Sequence, residues 1–276
     1  MRWNQTGLSN GSQQTSVKVL PKPIEMYVFI DPLCPECWSL NPYLKKLTLE
    51  YGRFFTLIPI ISSVFVSSSK RHKRSTYYSD RNDGKFKRPI PVTCPWIVPL
   101  AVKAAEIQGK RAGKTFLRKL QQKLFWHHVD VTEESKLYEI AKEAKLDVEE
   151  FKEDLYSASA KKAYQCDFKL MQEMEIEHVP TIVFINHFSD EQGIKITGIY
   201  PYEVYEHVLQ ETLQKIPIPS EKPPLEDYFK KYEVVGMEEI SFVYDWSRGK
   251  TEKELKKLQF QQKVKQINFS LWEYIY

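Results

Sequence analysis

Apolar residues along this chain recur with two periods, and the switches between them mark the elements. Met26-Tyr27-Val28-Phe29-Ile30 is a continuous β-branched and aromatic run, as a buried strand requires. Asp31-Pro32-Leu33 breaks it, and from Cys34 onward Trp38, Tyr43, Leu44, Leu47 and Tyr51 recur at helical spacing. Pro42 falls inside that helix, where its missing N–H and its ring predict a kink. Residues 54–61 read as a second buried strand. Helical patterns follow over residues 96–108, 115–126, 133–145 and 148–156, with Thr132 and Asp147 as helix-start signals for the last two. Residues 158–175 continue as a helix whose Ala163, Cys166, Leu170 and Met174 share one face, which reads Cys166 as a core residue. Val179-Pro180 then opens a strand to Ile185, and a proline at such a boundary can be cis. Residues 193–199 supply the returning strand and 201–213 the closing helix.

Pro217, Pro219, Pro223 and Pro224 form a stiff spacer after that helix. Beyond it the pattern is mostly helical: 225–232, 238–246, a turn at 247–250, and a mixed polar and apolar stretch over 251–276. The order also suits a winged-helix-like module. Roughly 50 residues bury little surface by themselves, so docking onto the larger unit is expected, with aromatics such as Phe242, Phe260, Phe269 and Trp272 as docking core. The chain therefore divides into an N-terminal tail (1–23), an α/β domain (24–216) interrupted by a helical insert at about 92–157, and a C-terminal unit (217–276).

Composition agrees with a globular protein: 42% of the residues are apolar and 13% aromatic, enough for a packed interior. The net charge of +4 is a near balance of 40 basic and 36 acidic side chains, which gives no general case for nucleic-acid binding. Residues 67–91 are locally basic, from Lys70 to Arg88, and read as a solvated loop, with an acidic partner as the sharper alternative. The lysines at 250–265 alternate with Glu252 and Glu254, the pattern of a solvated face. Residues 1–21 lack the apolar core of a secretory signal, and no segment has the roughly 18 apolar residues of a membrane span, so the expected location is cytoplasmic.

Thiols are normally reduced there, so the four cysteines are not expected to form structural disulfides. Cys34 and Cys37 are the one closely spaced pair, and they open a helix. Unpaired backbone N–H groups and the helix dipole favour a thiolate at that position, making Cys34 the candidate nucleophile and Cys37 the resolving thiol. A structural zinc site needs further Cys or His ligands at close spacing, and the sequence offers no such set. The competing reading of the pair is that both are small, partly buried residues whose sulfur binding does not need. Cys94 has no identifiable role.

The succession of strand, Cys34-Pro35-Glu36-Cys37, kinked helix, strand, helical insert, helix, Val179-Pro180, hairpin and helix resembles the DsbA family, and it covers about two thirds of the chain. The resemblance implies a thioredoxin-like fold with Pro180 as the cis-proline candidate beside the thiols. DsbA enzymes commonly carry His where this chain has Glu36; a carboxylate there is expected to raise the Cys34 thiol and make a poor oxidant. The longer run from Phe29 to Trp38 is similar to the signature of the SpxH/YjbH adapter family. That resemblance implies a cytoplasmic adapter that binds the transcriptional regulator Spx and promotes its degradation by the ClpXP protease. Such a role requires no catalytic residue, metal, cofactor, nucleic acid or membrane. Candidate binding residues are Glu36, Trp38, Val179 and Pro180. The alternative is a cytosolic thiol-disulfide oxidoreductase or isomerase, with Cys34 attacking, Cys37 resolving and Pro180 presenting substrate backbone.

Overall fold

The central sheet forms where the sequence is most continuously apolar. The computed structural model describes residues 22–62, 92–189 and 192–276, so the N-terminal tail to residue 21 and the basic stretch lie outside the described residues. Strand β1 (Ile24–Ile30) pairs in parallel with β2 (Phe55–Ile61) and antiparallel with β3 (Thr181–Asn186), which is bordered by β4 (Ile194–Thr197). The order is β2-β1-β3-β4. Because β1 is central, both of its faces are covered: Ile24, Met26 and Val28 enter the main core, and Phe29 enters a smaller one with Ile60, Ile176 and Val183. Each fully buried aliphatic side chain of this kind contributes about 1.5–3 kcal/mol. Pro59 is tolerated in β2 because that strand lies at the sheet edge.

The expected kinked helix is two helices. Helix α1 (Pro35–Ser39) ends at Leu40, and α2 (Asn41–Tyr51) starts there with Pro42 in its first turn. Proline cannot donate to the carbonyl one turn back, so the chain restarts the helix around it. The insert comprises α3 (Ile97–Ile107), α4 (Lys110–His127), α5 (Glu134–Glu143) and α6 (Val148–Leu155), followed by α7 (Ala158–Glu173). Asp147 caps α6 by accepting from the N–H of Glu149 and Glu150 at 3.0 and 3.1 Å. Thr132 is not a cap: Glu133 holds the cap position of α5, and the buried Thr132 hydroxyl accepts from the N–H of Thr93 and Cys94, each at 3.0 Å. Helix α4 begins five residues earlier than its pattern predicts. Gly109 turns the chain at φ +127°, and Gly113 lies so close to Glu106 that a Cβ would stand 2.4 Å from its Cγ. Cys166 is exposed, contrary to the core reading, because α7 turns Tyr164, Asp167 and Met171 inward and leaves Cys166 to one side.

After α8 (Tyr202–Leu213) the proline-rich linker is held against the end of α2: Ser220 donates to Glu50 O at 2.8 Å, and Arg53 donates to Ser220 and to Ile218 O. The last unit runs α9 (Leu225–Tyr232), β5 (Val234–Gly236), α10 (Met237–Tyr244), α11 (Arg248–Phe260), β6 (Val264–Gln266) and β7 (Leu271–Tyr274), with sheet order β5-β7-β6. The order is thus helix, strand, helix, helix, strand, strand. Two of the unit's three strands, β6 and β7, occupy the stretch after residue 260, which the sequence pattern reads as one mixed polar and apolar run. Tyr228, Phe229, Val235, Ile240, Leu255 and Trp272 form its own core, whereas Phe260 and Phe269, expected in the docking core, are 91% and 97% exposed.

Helix α10 packs on α2. Phe242 contributes to both cores, with its ring 4.7 Å from Tyr43 and 6.0 Å from Tyr202. Ion pairs surround it: Lys45–Glu239 at 2.7 Å, Lys46–Asp245 at 2.5 Å and Lys222–Glu50 at 2.9 Å. Farther along α4, Lys119 pairs with Glu233 at 2.9 Å.

Candidate functional site

The site begins where β1 stops. Asp31 and Pro32 turn the chain, Leu33 N–H donates to Asp31 Oδ1 at 2.9 Å, and Cys34 N–H donates to Asp31 O at 3.1 Å. Cys34 thereby lands in the cap position of α1, in extended backbone, where its Sγ accepts from Cys37 N–H at 3.4 Å. Cys34 is half-buried and Cys37 is 2% exposed. Their environments push the two thiols apart. The Cys37 thiol donates to Cys34 and lowers it; burial opposes this, the N–H groups of Cys37 and Glu36 assist, and the Asp31 charge opposes. Burial raises Cys37 well above its ordinary value, and the Cys34 sulfur and the Asp31 charge add to the rise. The pair is thus one accessible, acidified thiol above one protected thiol, as nucleophilic attack and resolution would need.

This overturns the expectation for Glu36. Its carboxylate is exposed and does not govern the thiols; its backbone N–H favours the Cys34 thiolate. The carboxylate that opposes thiolate formation belongs to Asp31, 1% exposed, which sequence reasoning had treated only as a strand breaker.

Antiparallel pairing of Phe29 with Thr181 brings the end of β1 to the start of β3, so Cys34 and Val179 pack against the same core. The Val179–Pro180 bond is cis and Pro180 is buried. Pro180 O accepts from Gly198 N–H at 2.8 Å and His178 O accepts from the Thr181 hydroxyl at 2.8 Å. Val179 lies between them, its backbone N–H and C=O unbonded to other described residues. Trp38 stacks on Phe125 at 5.5 Å and meets Trp126 edge-on at 5.2 Å, tying α1 to α4. The structure therefore gathers Cys34, Cys37, Trp38, Val179 and Pro180 at one end of the sheet, while Glu36 points to solvent.

The thioredoxin family model matches residues 27–207, two thirds of the chain. The match to whole relatives goes further. ClpXP adapter protein SpxH of Bacillus licheniformis is 44% identical over 268 residues, covering 92% of this chain and 89% of that protein. The protein of the same name from Bacillus subtilis is 45% identical over 259 residues, covering 89% and 86%. The chain belongs to the SpxH family. Among solved structures, a probable DsbA oxidoreductase from Streptomyces coelicolor superposes with a TM-score of 0.57 at 16% identity, covering 73% of this chain and 92% of that one. A protein disulfide isomerase-like structure from Nitrosomonas europaea gives 0.52 at 16%, covering 69% and 98%. These confirm a DsbA-type thioredoxin fold for this SpxH family member, and the likeness to SpxH proteins extends over more of the chain than the likeness to either oxidoreductase.

Proposed function

We propose that this protein is an adapter that binds the regulator Spx and promotes its degradation by ClpXP in the cytoplasm. The observation that carries the reading is the reach of the two likenesses: the oxidoreductase folds account for 69–73% of the chain, whereas the SpxH relatives account for about nine tenths of it, the C-terminal unit included. An adapter works by holding its cargo near the protease, which raises the cargo's effective concentration while the protease motor unfolds it. No bond need be made or broken by this chain. No helix among the described residues is long and apolar enough to cross a membrane.

Degradation of purified Spx by ClpXP, with and without the protein, tests the reading. The Cys34→Ala/Cys37→Ala variant is expected to retain most of the acceleration. A wild type that leaves degradation unchanged would sink the adapter role. Thiol-disulfide exchange is the second reading, favoured by the acidified Cys34 above the buried Cys37. Rapid turnover of a mixed-disulfide substrate, lost in the double variant, would move it to the front.

A further inference from the structure

Between the insert helix α4, the sheet edge and the C-terminal helix α9 lies a cleft of about 1110 Å³, distinct from the thiol end of the fold in most of its lining. Arg111, Lys114 and Arg118 succeed one another on α4 at spacings of three and four residues and all reach this cleft, so they form one row about 10 Å long. Lys231 of α9 faces the same space. Arg111, Lys114 and Lys231 have no carboxylate partner among the described residues, and Glu233, the acidic group nearest Arg118, is already shared with Lys119. Burial and Lys110 lower Lys114, outweighing the opposing charge of Glu106, and burial and Lys45 lower Lys231.

A second, independent observation points to a ligand. The amide Nε2 of Gln121, a residue only 3% exposed, and the Nε of Arg118, whose Nη1 donates to Lys231 O, are buried in this lining without a hydrogen-bond partner among the described residues. Buried donors left unpaired cost stability, and both require an acceptor. The site therefore offers donors and positive charge together. A row of this length suits several carboxylates in succession better than one compact anion, because an extended peptide presents same-side residues roughly 7 Å apart.

We propose that this cleft binds an extended acidic peptide segment, rich in Asp or Glu, of a partner protein. The stretches outside the described residues hold no long acidic segment: residues 1–21 contain no acidic residue, residues 63–91 carry two, Asp80 and Asp83, against eight Lys and Arg, and residues 190–191 are one Asp-Glu pair, too short to line the row. The proposal is independent of the adapter reading, since it is tested by binding alone.

The test is fluorescence anisotropy with the full chain and a short labelled peptide of alternating glutamate and serine, beside its glutamine counterpart. The glutamate peptide is expected to bind, to weaken as salt rises, and to lose about tenfold in affinity or more in a Lys114→Glu/Lys231→Glu variant. A milder Lys114→Gln/Lys231→Gln variant, with an unchanged melting temperature, separates lost charge from misfolding and is expected to fall between the two. Equal binding of both peptides, no binding, or affinity unaffected by either double substitution overturns the proposal. So does saturation by inorganic pyrophosphate without peptide binding, which would make the cleft a small-anion site.

Discussion

At the residue scale the decisive pair is Cys37 and Asp31, which act on Cys34 in opposite directions. The Cys37 thiol is the largest influence lowering Cys34, so Cys37→Ala is expected to raise it and to slow alkylation of Cys34 at neutral pH. Asp31→Asn keeps an oxygen for the Leu33 N–H and removes the opposing charge, so it is expected to lower the Cys34 thiol and speed alkylation. Rates of iodoacetamide modification across a pH series check both; equal profiles for the two variants would refute the assignment. The cysteines and the proline could be picked out from the sequence because spacing alone marks them. The role of Asp31 could not, because it depends on burial and on the turn that folds its side chain under the thiols.

Elements were legible in proportion to their length and to how fully one face is buried. β1, β3 and the insert helices carry long, regular patterns and stand within two residues of where their periodicity puts them, the start of α4 excepted. Strands β5, β6 and β7 have three or four residues each, too few for alternation to register, and so escaped notice. Helix α7 misled in another way: Leu170 and Met174 of the apolar stripe do pack inward beside Met171, but at the Cys166 level the inward positions are taken by Tyr164 and Asp167, polar groups that a hydrophobic stripe does not display. Asp167 accepts from Ile61 N–H at 2.8 Å and pairs with the buried Lys103 at 2.5 Å. The short helix α1 depends on Trp38 for its hold on α4. Truncating this half-buried side chain in Trp38→Ala is expected to cost about 2–3 kcal/mol in denaturant unfolding, with a larger effect on alkylation of the thiols than on the C-terminal unit.

For the whole molecule, the docking of the C-terminal unit depends on carboxylates that a sequence cannot assign to partners. Burial pushes Glu233 up, but Lys119, Arg118 and Tyr276 outweigh it and hold its carboxyl below the ordinary range. Asp245 behaves alike, with burial overcome by Lys222 and Lys46. Both bind a proton more weakly in the folded protein than in the unfolded chain. Their contribution is therefore complete above the ordinary carboxylate pKa and is lost as pH falls through the lowered values. Amide protection in α10, corrected for the intrinsic slowing of exchange with acid, is expected to fall on acidification before protection in β1 does, and Lys119→Ala is expected to weaken the Glu233 part of this dependence. Protection that falls uniformly in both elements would contradict it.

Phe242 stands with one side in each core, and the linker before it is pinned to α2 rather than left slack. A residue shared in this way makes the boundary between the units part of the interior of both. Heat should therefore melt the protein in one cooperative step, with calorimetric and van't Hoff enthalpies in agreement, and Phe242→Ala should split that step in two. The C-terminal unit would then be less a separate domain than the last folding segment of the thioredoxin body, with thermal stability that cannot be inherited or lost on its own.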